Sequence, residues 1–238
     1  MGHAPLHLHP TAPLATRALL PGDPGRALAL AQILLETPRM FNHHRGLWGY
    51  TGTAHADGEP LTIQATGMGG PSAAIVLEEL AHLGLRRAVR VGTCGALAAG
   101  LELGSLIAVT EALAADGASR ALGAGAVAAP DPGLTATLAA GADRAGLVAT
   151  TDLFYDPEPS RARAWTDAGA LAVEMEAAAL MTVGERRGVT VGCLLVVSDS
   201  VAGGGTRIGE HELDAAVQRM GEAAVRALGP VGAGVAGG

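Results

Sequence analysis

Residues 67 to 97 constrain the fold more than any other stretch. Gly67-Met68-Gly69-Gly70-Pro71-Ser72 is a glycine-rich loop running into a helix. Ser72 reads as the N-cap, Val76, Leu80 and Leu83 share one face, and Gly84 stops the helix. Ala88, Val89 and Val91 then form a short buried strand that ends at Gly92. Residues 61 to 66 alternate like a strand ahead of the loop. The unit is therefore a βαβ crossover, which demands a parallel sheet covered by helices. The loop is not G-x-G-x-x-G, so it carries no dinucleotide fingerprint.

Arg90 stands in the middle of that strand. A guanidinium in a core strand is costly unless an anion meets it. Either a buried glutamate or a bound anion would answer the need. Gly92-Thr93-Cys94-Gly95 follows and reads as a small-residue turn with free backbone N–H groups and a hydroxyl. Fork, amides and hydroxyl together suit phosphate.

Composition excludes several classes. The chain has 238 residues, enough for one large α/β domain. No apolar run approaches the roughly 18 residues of a membrane span, and no signal-peptide pattern opens the chain, so a cytoplasmic protein is expected. A net charge of −7 argues against non-specific nucleic-acid binding. Cys94 and Cys193 supply neither a disulfide framework nor a metal cluster. All 16 basic residues are Arg, so any anion site uses Arg, His or backbone.

In chain order, residues 1 to 16 read as an arm with His3, His7 and His9. Residues 17 to 228 read as one α/β domain, and residues 229 to 238 as a disordered tail. Residues 17 to 20 form a strand, and Pro21-Gly22-Asp23-Pro24-Gly25-Arg26 a turn whose amides open onto a helix from about 25 to 36, an anion site. Arg26 opposes the helix dipole there, which fits an anion between them. Residues 41 to 53 read as strand and hairpin, with Arg45 a lone charge, and Asp57-Gly58 as a turn. Residues 105 to 110 make a strand. A helix near 132 to 145, a strand near 146 to 150 and a polar helix at 160 to 169 follow. Phe154 and Tyr155, in the loop between, serve as a stacking platform or a packing plug. Glu174 and Glu176 lie in an apolar run; two residues apart, they point in different directions, which suits sugar hydroxyls or a buried Arg better than a shared proton. Residues 190 to 197 form a buried strand. Ser198-Asp199-Ser200 sits at its carboxyl end, where open α/β sheets bind ligands, and Asp199 is a candidate acid or a turn cap. Gly203-Gly204-Gly205 is a candidate lid. Residues 211 to 228 form a last helix with Leu213, Val217, Met220, Ala224 and Leu228 on one stripe.

Taken in order, these motifs resemble the hexameric, bacterial-type nucleoside phosphorylases, the family of purine nucleoside phosphorylase and uridine phosphorylase, from about residue 5 to 228. The residues that match are the turn at 21 to 26, Arg45-Gly46-Leu47-Trp48-Gly49-Tyr50-Thr51-Gly52, Arg90-Val91-Gly92-Thr93-Cys94-Gly95 and Val173-Glu174-Met175-Glu176-Ala177. The resemblance implies a three-layer αβα fold with a central mixed, partly barrel-like sheet. It implies phosphate ligands Gly22, Arg26, Arg45, Arg90 and Thr93, with Arg45 reaching a neighbouring subunit's phosphate. It implies ribose ligands Glu174, Met175 and Glu176, with His7 from a neighbour at the 5′-hydroxyl; His9 is the alternative.

For the base, the resemblance implies Phe154, Ser198, Cys94 and Gly95, with Asp199 meeting purine N7. Asp152-Leu153-Phe154-Tyr155 and Ser198-Asp199 look like the purine branch. The loop at 67 to 72, with Val76 to Leu80, is closer to the uridine branch, and uridine phosphorolysis is the alternative. The purine branch also carries an arginine on the last helix; Arg207 comes too early to match it, and the helix opens with His211 and Glu212. The implied reaction is reversible phosphorolysis of purine nucleosides. Phosphate is the co-substrate, with no metal and no other cofactor, in a homo-oligomer, a trimer of dimers. A water-using nucleosidase or a non-catalytic binder would not need Arg26, Arg45 and Asp199 together.

Overall fold

The first strand, β1 (Arg17–Leu20), lies between two parallel neighbours, β4 (Pro60–Gln64) and β5 (Arg87–Ala96). The computed structural model describes residues 5–201 and 205–230. Helix α1 (Pro24–Leu34) runs directly into β2 (Leu35–Asn42), which pairs with β3 (Gly49–Ala54). Helix α2 (Gly70–His82) completes the crossover into β5. Next come β6 (Leu106–Ala114), α3 (Gly117–Ala121), β7 (Val127–Ala128), α4 (Pro132–Ala139) and β8 (Arg144–Thr150). The chain finishes with α5 (Pro159–Asp167), β9 (Ala172–Glu174), α6 (Ala177–Arg187), β10 (Thr190–Ser200), β11 (Thr206–Arg207) and α7 (Glu210–Leu228).

The sheet order is β11-β10-β6-β8-β9-β5-β1-β4-β3-β2, with β7 on β6. A further parallel pairing of β10 with β5 closes β10, β6, β8, β9 and β5 into a five-strand ring. Helices α1, α4 and α7 cover one face through Leu30, Leu138, Val217 and Met220; α2 and α6 cover the other through Val76, Leu77, Leu80, Leu180 and Val183. This is the expected αβα arrangement with a partly barrel-like mixed sheet. Among the described residues no helix is long and apolar enough to cross a membrane.

Several local expectations are corrected. Strand β5 does not stop at Gly92 but continues to Ala96, so residues 92 to 95 are strand rather than turn, paired in register with Leu195, Val196, Val197 and Asp199. Helix α2 begins at Gly70 with Gly69 as N-cap, and Ser72 instead donates its hydroxyl to the Thr66 carbonyl (2.5 Å). Helix α1 ends before Leu35, and α4 ends at Ala139, short of the expected 145. Gly229, assigned to the tail, has its carbonyl held 2.6 Å from Nη1 of the buried Arg17. Residues 1 to 4, 202 to 204 and 231 to 238, which carry His3, most of the glycine lid and most of the tail, lie outside the described residues.

Candidate active site

On β5, Ala88 and Cys94 face the α2 and α6 side, and the two-residue period puts Arg90 there too. Helix α6 begins at that point. Glu174 ends β9 and Glu176 is the N-cap of α6, so the backbone turns between them and both carboxylates converge on one guanidinium. Arg90 Nε donates to Glu174 Oε2 (2.9 Å), and Nη2 lies 2.5 Å from Glu176 Oε2. The expectation that the two glutamates diverge is overturned, because it assumed one continuous element. Burial opposes the charge of Arg90, but Glu176 and Glu174 outweigh it and hold the guanidinium firmly protonated. Its Nη1 is buried with no hydrogen-bond partner among the described residues. A Cβ at residue 92 would lie 2.7 Å from Arg90 Nη2, so glycine lets the fork fold back over its own strand.

The two glutamates differ in what they can still accept. Glu174 Oε1 takes the Thr150 hydroxyl (2.5 Å), while Oε2 takes Arg90 and the amides of Glu176 and Ala177 (both 2.8 Å). Its carboxylate is thus engaged in holding Arg90 and the start of α6, while the residue still borders the cleft. Burial pushes the Glu174 carboxyl up, with Arg90 opposing. Glu176 accepts the Gly69 amide (2.6 Å) and Arg90, and borders open space.

One cleft of about 730 Å³ gathers Gly22, Arg26, Arg90, Thr93, Cys94, Gly95, Phe154, Glu174, Met175, Glu176, Ser198 and Asp199. At its polar end the α1 amides are not open to an anion as expected: Asp23 caps them, accepting from Gly25 (3.0 Å) and Arg26 (3.2 Å). The Arg26 side chain remains. Burial pulls its guanidinium below the ordinary value, Asp23 opposes this and Arg90 adds to it. Two close guanidiniums, one with an idle N–H, favour an anion between them.

At the other end, Asp199 lies directly opposite Gly95 across the β5–β10 ladder, beside a bulge in β10. A Cβ at residue 95 would sit 2.9 Å from Asp199 Oδ2, so glycine makes room for that carboxyl. Ser198 Oγ is 2.8 Å from Asp199 Oδ1 and 3.3 Å from the Cys94 carbonyl. Cys94 turns its buried thiol toward the Val196 carbonyl (3.5 Å), and burial drives its pKa far up. Phe154 is 59% exposed and makes a T-shaped contact with Tyr155. Sequence reasoning placed no arginine with Asp199. Strand β11 brings Arg207 opposite it in antiparallel register, on the same side of the sheet and bordering the same cleft. Only the fold reveals that pairing.

His7 and Arg45 lie outside this cleft. The arm folds back on its own subunit: Glu79 accepts the amides of Leu6, His7 and Leu8 and a 2.7 Å contact from His7 Nδ1. His9 stacks on His44 with ring centroids 3.8 Å apart, and its amide reaches Asn42 Oδ1. Exposed Arg45 sits in the adjoining turn, His44–Gly46, with φ 59°, a left-handed conformation uncommon for a non-glycine residue.

The family model described as the phosphorylase superfamily matches residues 16–230. The chain belongs to the phosphorylase superfamily. It is 36% identical over 207 residues to a DeoD-type purine nucleoside phosphorylase of Alkaliphilus metalliredigens, covering 83% of this chain and 88% of that one. It is 37% identical over 203 residues to the protein of the same name from Geobacillus kaustophilus, covering 82% and 85%. A third of that name, from Clostridium beijerinckii, is 35% identical over 214 residues, covering 86% and 90%. Superfamily membership is consistent with the five-strand ring and with a cleft at the carboxyl ends of β5 and β10.

Proposed function

We infer that this chain is a purine nucleoside phosphorylase: nucleoside plus phosphate gives free base plus pentose 1-phosphate, reversibly. One observation carries the reading beyond its relatives' names. A single cleft joins an end lined by the guanidinium-bearing residues Arg26 and Arg90 to a base end, with Phe154 and Asp199.

Phosphate, held by Arg26, Arg90, Thr93 and the backbone at Gly22, attacks C1′ of the sugar as the C1′–N9 bond breaks. The sugar passes through an oxocarbenium-like state, which the adjacent phosphate charge stabilises. Glu176 receives the sugar hydroxyls while Arg90 and the Gly69 amide fix its carboxylate, so the hydroxyls find a preorganised acceptor. Met175 lies against the sugar. Asp199 gives a proton to N7 of the departing purine, and the proton of hydrogen phosphate balances the one the base keeps. Ser198 can serve either form of Asp199, donating to the carboxylate or turning to the Cys94 carbonyl. No cofactor other than phosphate is required.

His7 and Arg45, displayed together on the arm and the turn, serve a neighbouring subunit's site in this reading. The working unit is a homo-oligomer, a hexamer built as a trimer of dimers, and a cytoplasmic one. The test is base release from inosine, adenosine and uridine, each with and without phosphate. Phosphate-dependent cleavage of the purine nucleosides alone is expected. Cleavage in the absence of phosphate, or of uridine in preference, would overturn the reading.

A further inference from the structure

The cleft does not end at Phe154. A second chamber of about 640 Å³ shares five wall residues with it: Thr151, Leu153, Phe154, Val173 and Val201. Its floor is apolar. Leu97 is buried there, with Ala162 and Trp165 of α5 and Val173 packed into the same cluster. The charged residues on its walls are half-buried Asp156 and exposed Glu158, Arg163 and Asp167; Asp156 pairs with Arg161 (3.0 Å) and Glu158 accepts the Ser160 amide that opens α5. Neither the phosphate, the sugar nor an unsubstituted base has a use for this space in the reaction described above.

The geometry around Gly95 shows which part of a substrate would reach it. The position of a Cβ on that glycine lies 2.9 Å from Asp199 Oδ2, 2.9 Å from Val201 Cγ2 and 3.6 Å from Val173 Cγ1. The proton donor and two of the shared walls therefore meet at one point. In a purine, N7 and the substituent at position 6 lie on one edge of the ring. With N7 at Asp199, a group at position 6 is directed past Val173 and Val201. Leu153 (45% exposed), Phe154 and Val201 (44%) line the passage with apolar surface.

We propose that the chamber over α5 is a subsite for an apolar group carried at position 6 of the purine, an aralkylamino group being the best fit. Trp165 and Phe154 offer such a ring two aromatic neighbours, and the absence of buried charge favours it over an ionised group. The inference rests on the purine reading, with Asp199 at N7. The reaction is unchanged: the same C1′–N9 bond breaks and the same proton moves.

The experiment compares kcat/KM for adenosine and N6-benzyladenosine, with saturating phosphate, in the native protein and in Ala162→Phe, which fills the chamber from α5 without touching the cleft. Native protein is expected to cleave both nucleosides, with N6-benzyladenosine within about tenfold of adenosine. Ala162→Phe is expected to lower the benzyl substrate by about tenfold or more and to leave adenosine within about twofold, the range a hydrophobic pocket can discriminate. Ala162→Leu repeats the test at smaller volume if the larger side chain prevents folding. Adenosine cleaved with no cleavage of the benzyl substrate overturns the subsite, as does an equal effect, or no effect, of the α5 substitutions on both. Inosine serves as the control: if it alone is cleaved, the subsite is overturned and the purine reading stands; if no purine nucleoside is cleaved, the purine reading itself falls and takes the subsite with it.

Discussion

The charge at Arg90 decides how its neighbours are used. One guanidinium divides its donors between two carboxylates and leaves one nitrogen, Nη1, without a partner among the described residues. Glycine at 92 and 95 is required by close approach: one accommodates the fork, the other the Asp199 carboxyl. Gly95→Ala is expected to displace that carboxyl and lower kcat by about ten- to a hundredfold, while the KM for phosphate, set at the far end of the cleft, changes little. An unchanged kcat would show that Asp199 can move aside at no cost. Burial holds the Cys94 and Cys193 thiols well above their ordinary range. Iodoacetamide at mildly alkaline pH is therefore expected to leave both unmodified in the native protein and to alkylate both in denaturant, read by intact mass. Rapid native labelling would contradict the packing around β5 and β10.

At the scale of elements, the crossover from β4 through α2 to β5 was legible because apolar periodicity marks each part. The length of β5 was not. Its outer half is built of small residues so that Arg90 and Asp199 can approach, and small residues carry no hydrophobic pattern. Strand β2 was only partly legible, since Pro38 and Thr37, with φ 41°, break its ladder to β3 between Glu36 and Arg39. The convergence of Glu174 and Glu176 depends on a strand-to-helix turn that no spacing rule displays, whereas the need of Arg90 for an anionic partner was evident from its strand.

Another buried arginine ties elements together. Arg17 on β1 binds Asp57 through both carboxylate oxygens (2.6 and 2.7 Å), along with the carbonyls of Pro60, Glu59 and Gly229. It thereby joins β1, the β3–β4 turn and the end of α7. Asp57 is held below the usual carboxylate range, first by the Arg17 hydrogen bond, with burial opposing. A lowered folded pKa contributes stability that is full above the unfolded value of about 3.9 and is lost as pH falls through the folded one. Asp57→Asn is expected to cost about 1 kcal/mol near neutral pH, because the buried guanidinium loses a counter-charge that itself faces solvent. It should also flatten the acid limb of the stability curve. Equal denaturation midpoints for the two proteins at pH 7 would show that the three carbonyls suffice.

For the whole molecule, the arm and the turn at His44–Gly46 make one displayed surface. His7 and Arg45 lie away from the cleft that the other candidate residues line. The proposed sharing of sites between subunits would account for that placement. Arg45→Ala and Asp199→Ala are each expected to be nearly inactive alone. When the two are unfolded, mixed and refolded together, activity is expected to return, because some sites then receive a native Arg45 from one chain and a native Asp199 from the other. No recovery, with mixed oligomers confirmed by mass, would confine each site to a single chain.

Transfer of a pentose from a purine to phosphate is the reaction proposed for this cleft. The most direct measurement is the 31P NMR spectrum of the protein incubated with inosine and inorganic phosphate. Growth of a ribose 1-phosphate resonance in step with hypoxanthine release is the expected result. Hypoxanthine released with free ribose, while the phosphate signal stays constant, would contradict it.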